Sequence, residues 1–286
     1  MKIGFIGLGI MGSAMCENIV AKHSEEVFCY DHHEENIQAL VKKGAIACKN
    51  EIDVAQNADI IITMVPKSEH SAFVYNTILP FLTPQKICID MSTISPSVSV
   101  ELAQKVKNAG ADFADAPVVK SRPAALLGKL GIYVGASEEL FQKILPILHY
   151  MGENVIRMGE NGSGLVMKIC HNALVSQIQN GVNETLALAG AHGISVETFA
   201  KAISYGGAQN FYLDSKKEVI SSRDFTTAFS VENMAKDVGL ALDLAAQKNL
   251  NLLGEKAVSQ VYNAALEKGL GKKDFSATFT IVNGEA

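Results

Sequence analysis

Over the first 160 residues, short apolar runs alternate with segments whose apolar positions recur at three and four residues. The runs at 2–7 (KIGFIG), 27–31 (VFCYD), 58–65 (ADIIITMV), 86–90 (KICID), 111–118, 132–134 and 154–158 predict strands. Helical spacing falls between them, most clearly at 11–20, 34–43 and 140–150. Strands that are apolar throughout are buried on both faces, so the pattern predicts a parallel sheet covered by helices on each side. It changes after the glycine-rich stretch GENGSG at 159–164. From 165 to 192 there is no proline, only Gly181 and Gly190 interrupt, and apolar residues keep helical spacing. One helix of about 28 residues is expected there, roughly 42 Å long. Residues 196–269 read as further helices with no strand. The reading is therefore α/β: a sheet domain over 1–161, then an all-α domain over 162–286, joined by the long helix.

Composition narrows what such a chain does. Apolar residues make up 48% and charged residues 19%, which suits a globular protein and not a disordered one. The net charge is −5 and no Lys/Arg cluster stands out, which argues against a nucleic-acid partner. The chain runs from Met1-Lys2 straight into an apolar strand, without a signal-type segment, and the run at 60–65 is too short to span a bilayer. A cytoplasmic protein with no membrane partner is expected. Five cysteines without a CxxC pair fit reduced thiols packed as small apolar side chains, and no metal site is indicated.

Gly7-Leu8-Gly9-Ile10-Met11-Gly12 matches GxGxxG. Alone that string is weak, but here it leaves a strand and opens a helix, and Asp31 closes the next strand 19 positions after Gly12. This context is the Rossmann dinucleotide-binding signature. Gly7 permits the tight turn, Gly9 the approach of pyrophosphate, and Gly12 the packing of helix on strand. The helix N-terminus presents free amides to phosphate. Asp31 suits the adenosine ribose hydroxyls and would repel a 2′-phosphate. It is followed by His32 and His33 instead of Arg, so NAD is favoured over NADP.

On the long helix, Lys168 and Asn172 lie four apart and share a face. A partly desolvated lysine has its pKa lowered and suits general acid/base work; the plainer alternative is a solvated helix lysine. At this point the chain resembles the β-hydroxyacid dehydrogenases, which include 3-hydroxyisobutyrate dehydrogenase and the semialdehyde reductases. Four segments in order carry the resemblance: FIGLGIMGSAM at 5–15, DMSTISP at 90–96, GSGLVMKICHN at 162–172 and MAKDVGLALDLA at 234–245. The resemblance implies Lys168 as acid/base and Asn172 as an orienting residue. It also implies Thr93, Val65, Pro66, His70 and Lys236 around the cofactor, Ser92 near the substrate, and a homodimer or homotetramer.

The family's P-V-S-G-G stretch departs here: its serine is Val119, and its glycines are Lys120 and Ser121, followed by Arg122-Pro123. These donors point to a small anionic hydroxy acid or semialdehyde longer or more charged than 3-hydroxyisobutyrate. His171 replaces a second Asn. An imine reductase on the same fold, or a nucleotide-binding module without turnover, are the alternatives; Lys168 and Asn172 together favour the hydroxy-acid reading.

Overall fold

The glycine turn sits at the end of β1 (Ile3–Ile6), a strand whose four side chains are all buried. A computed structural model describes residues 1–285 of the chain. The chain divides into two units, one spanning Met1–Lys168 and one starting at Ile169.

In the first unit β1 is followed by α1 (Ile10–Lys22), β2 (Val27–Tyr30), α2 (Glu34–Val41), β3 (Ile46–Ala47), α3 (Glu51–Asn57) and β4 (Ile60–Thr63). Next come α4 (Ser68–Ile78), β5 (Ile87–Asp90), α5 (Pro96–Asn108) and β6 (Asp112–Asp115). The unit continues through β7 (Val118–Val119), α6 (Arg122–Leu126), β8 (Leu130–Gly135), α7 (Glu138–Leu148) and β9 (Gly152–Gly159). The strand order β3-β2-β1-β4-β5-β6 is parallel throughout, with Ile3 opposite both Val27 and Ile60, and Ile60 opposite Ile87.

Alternation along these strands divides the interior into two layers. Ile3, Phe5, Cys29, Ile60, Ile62, Ile87 and Ile89 pack into one core with Met15, Ile19 and Ile144. Ile6, Phe28, Ile61 and Cys88 pack into the other with Val54, Tyr75, Ile78 and Val106. A sheet apolar on both faces needs helices on both, which is the doubly wound arrangement.

The run at 111–118, expected as one strand, is two. Pro117 has no N–H to give a ladder, and the strand is interrupted there between β6 and β7. β8 then runs antiparallel to β6 and β7 and parallel to β9, so the far edge of the sheet is mixed instead of wholly parallel.

α8 (Ser163–Ala191) has 29 residues, starts in the first unit and continues into the second. Around its later turns lie α9 (Val196–Ile203), α10 (Phe211–Ser222), α11 (Val231–Gln247), α12 (Leu253–Glu267) and α13 (Phe279–Val282). Ser195, Asn210 and Ser230 cap α9, α10 and α11 by accepting first-turn amides. Val182, Leu186, Leu213, Ile220, Met234, Val258 and Tyr262 form their common core. Among the described residues no helix is long and apolar enough to cross a membrane.

Candidate active site

Gly7 has φ +94, a conformation side chains rarely adopt, and it donates its N–H to the Tyr30 carbonyl at 3.0 Å. A Cβ at Gly12 would strike the Gly7 carbonyl, so α1 crosses this close only because position 12 has no side chain. Gly9 is the N-cap of α1, its backbone extended, with no side chain closing the helix end and no acidic residue in the first turn. Nothing lies within 4 Å of where its Cβ would be. Open space, uncapped amides and the positive end of the helix dipole fit a dinucleotide pyrophosphate. Leu8 is buried, Ile10 is exposed and Met11 is half-buried.

Asp31, half-buried after β2, does more than close the strand. One carboxylate oxygen accepts the Leu8 N–H at 2.6 Å, and the other accepts the His33 N–H at 2.8 Å. It therefore tethers the glycine turn to the end of β2. Val65, following β4, donates its N–H to Ser92 Oγ at 2.9 Å, and Ser92 N–H in turn donates to Asp90 Oδ1 at 3.0 Å. Asp90 is buried, and desolvation raises its pKa above the ordinary carboxylate value. The loops after β4 and β5, carrying Val65, Pro66, Ser92 and Thr93, are thus tied together from beneath. Pro66 and His70 are exposed, His70 in the first turn of α4.

The start of α8 is fixed by a residue that sequence reasoning missed. Asp115, fully buried at the end of β6, accepts the Gly162 N–H at 2.6 Å and the Leu165 N–H at 3.0 Å. Burial pushes its pKa up to about 6. Gly162 has φ +90, and a Cβ on Gly164 would lie 2.9 Å from Asp115 Oδ2 and from the Gly135 nitrogen. The two glycines of the Gly-Ser-Gly entry thus let the helix end sit on a buried carboxylate. Lys168 follows in the second turn and is only 9% exposed.

In the helical unit, Asn172 Nδ2 donates to Asp237 Oδ2 at 2.6 Å, and Lys236 Nζ lies 3.0 Å from Asp237 Oδ1. Asn172 and Asp237 are both buried. Asp237 escaped the sequence reading although it stands beside Lys236 in the Lys-Asp segment; that adjacency was the available signal. Further along α8, Ser176 contacts the buried Glu255, Gln179 donates to the Phe275 carbonyl, and Asn183 accepts from Tyr212 Oη. One buried polar row of α8 is thereby bonded to α10, α12 and the turn before α13.

The departing segment divides by direction. Val119 is buried, and its Cγ2 lies 2.6 Å from where a Cβ on its strand partner Gly131 would be. Lys120 Nζ donates to the Lys129 carbonyl at 2.7 Å and to Glu153 Oε1 at 2.8 Å. Ser121 and Arg122 are exposed, and the Arg122 side chain makes no hydrogen bond or ion pair among the described residues. Among the described residues, no group of three or more His, Cys, Asp or Glu is placed to hold a metal.

Residues 2–159 match the NAD binding domain of 6-phosphogluconate dehydrogenase, and residues 162–282 match the NAD-binding family of NADP-dependent 3-hydroxyisobutyrate dehydrogenase. The chain belongs to the β-hydroxyacid dehydrogenase family of NAD(P)-dependent oxidoreductases acting on a CH–OH group. It is 34% identical to the 2-(hydroxymethyl)glutarate dehydrogenase of Eubacterium barkeri, over 98% of this chain and 94% of that one. It is 36% identical to the mitochondrial 3-hydroxyisobutyrate dehydrogenase of Rattus norvegicus, over 99% of this chain and 87% of the other. The solved 3-hydroxyisobutyrate dehydrogenase of Mycobacterium tuberculosis with L-serine superposes with a TM-score of 0.90 at 26% identity, covering 98% of both chains. Imine reductases share the fold alone; one from Myxococcus stipitatus has a TM-score of 0.68 at 20% identity.

Proposed function

We propose that the chain interconverts a β-hydroxy acid and its semialdehyde, with Lys168 as general acid/base and Asn172 orienting the substrate. The observation that carries this reading is a lysine only 9% exposed, one turn from a buried Asn whose amide is held by Asp237. In the oxidative direction Lys168 takes the proton of the substrate hydroxyl; in the reductive direction it returns it. Residues 7–12 and Asp31 would hold the nicotinamide cofactor, with Val65, Pro66, His70, Thr93 and Lys236 contributing. When bound, the cofactor supplies or accepts the hydride at the carbinol carbon.

NAD is the proposed partner over NADP, because Asp31 presents a carboxylate, already anchored on Leu8 and His33, where a 2′-phosphate would lie. Ser92, Ser121 and Arg122 are the proposed substrate contacts. The exposed Arg122 suits a substrate with a second negative charge, in keeping with a relative named for 2-(hydroxymethyl)glutarate. A homodimer or homotetramer is proposed, supported by the exposed apolar Phe211, Tyr205 and Leu188 of the helical unit, at 85%, 76% and 63%; light scattering checks it.

The test is steady-state oxidation of NADH and NADPH in parallel, with singly charged and doubly charged semialdehydes. The expected result is turnover with NADH favoured and the doubly charged compounds having the higher kcat/KM. No turnover with any, or a preference for NADPH, counts against the reading.

A further inference from the structure

Lys120 has φ +80, in the left-handed region that side chains avoid and glycine adopts freely. The loop between β7 and α6 thus keeps a glycine-like backbone without the glycine. Something must hold it there, and the surroundings supply it. Lys129, just before β8, offers its carbonyl to Lys120 Nζ. Glu153 offers its carboxylate from β9. Glu153 sits at an irregularity of that ladder: Leu130 pairs with Gly152 but Gly131 pairs with Asn154, so Glu153 is an extra residue without a partner on β8. A bulge of this kind re-aims one side chain, here toward Lys120.

We infer that Lys120 and Glu153 are positioning residues. The bulged Glu153 and the Lys129 carbonyl latch Lys120 in its left-handed conformation and thereby fix the backbone that presents Ser121 and Arg122 to the substrate. The inference rests on the proposed role of this loop in substrate binding. It removes Lys120 from the groups that read substrate charge. The ammonium is paired with a carboxylate, so the pair has almost no net charge to offer an anion.

The two roles for Lys120 have opposite consequences for Glu153→Gln. If Lys120 is a latch, the substitution frees the loop and weakens substrate binding. If Lys120 reads the substrate, removing its competitor strengthens binding. Four chains decide it: the parent, Glu153→Gln, Lys120→Gly and the double variant, each as full-length protein with saturating NADH and succinic semialdehyde as the probe. Expected for Glu153→Gln is a KM raised about 5-fold, the scale of one surface ion pair with an added hydrogen bond, at unchanged kcat. Glycine adopts the left-handed conformation without a latch, so adding Lys120→Gly should bring that KM back to within about 2-fold of the parent.

Tryptic cleavage after Lys120 provides a readout independent of the substrate. The latch requires it to rise in Glu153→Gln, about 5-fold by the same ion-pair scale. Faster cleavage with an unchanged KM would leave the latch standing and overturn the loop as a substrate contact. Unchanged cleavage, or a lowered KM in Glu153→Gln, would overturn the latch.

Discussion

In the first unit the candidate cofactor cradle is made of backbone. Gly7 turns at φ +94, Gly9 leaves open space, Gly12 lets α1 pass against the Gly7 carbonyl, and the ligand-facing groups are uncapped amides. In the helical unit the candidate groups are held by side chains. Asn172 is fixed by Asp237, and the row beyond it bonds through Ser176, Gln179 and Asn183 to three other segments. A site made of backbone fails when an atom is added; a site made of side-chain networks fails when one is removed.

Adding one methyl group should therefore give the largest effect. Gly12→Ala and Gly164→Ala each place a Cβ against backbone that has nowhere to go, the Gly7 carbonyl in one case and the Tyr133 carbonyl in the other. Each is expected to cost about 3 kcal/mol, the upper end for overpacking. For Gly12→Ala the loss should appear in cofactor titration. For Gly164→Ala it should appear in urea unfolding and in turnover, because the start of α8 shifts. Tolerance of either methyl would break the contrast.

Asp115 joins the two modes, a side chain holding a helix end, and it should give the next effect. Burial raises its carboxyl from the ordinary 3.8 to about 6. The folded chain then binds a proton between about pH 6 and 4 that the unfolded chain does not, so this group's penalty is full above pH 6 and is relieved as the pH falls through that window. That difference corresponds to about 3 kcal/mol at most. The stability of the parent relative to Asp115→Asn should rise from pH 7 to pH 4.5 by about 2 kcal/mol in urea unfolding. A pH-independent difference would contradict it.

Deletion in the helical unit comes third. Asn172→Ala leaves the buried Asp237 without its amide donor, at an expected cost of about 1–2 kcal/mol in stability, with a kcat loss exceeding any change in cofactor affinity. The smallest effect separates two duties of one carboxylate. Asp31→Asn keeps an oxygen for the Leu8 N–H but removes the charge, so it should relax discrimination against NADP by about 1 kcal/mol while NAD binding is largely kept; Asp31→Ala should weaken both cofactors.

The same contrast explains what the sequence disclosed. A backbone-built cradle is written locally, because the glycines that carry its geometry stand within six residues of one another. The buried strands were legible for a similar reason, since burial on both faces leaves uninterrupted apolar runs, and the long helix was legible from proline-free helical spacing. The partners of α8 were not legible. Asp115 lies 47 residues before Gly162, and Asp237 lies 65 residues after Asn172, with no periodic pattern to connect them. The split at Pro117 was visible as a residue but not as a break in the strand, and the antiparallel return of β8 had no local signal. The left-handed Lys120 could not be foreseen from its own chemistry, because the bulge that supports it is on β9.

The central claim is that Lys168 carries the proton in a reaction whose cofactor is held mainly by other residues. The most direct measurement pairs two numbers for Lys168→Ala: turnover with the best semialdehyde, and the NADH dissociation constant by fluorescence titration. The account predicts that turnover falls by about 100-fold or more while the dissociation constant stays within about 2-fold. Near-parental turnover in a folded variant would contradict it.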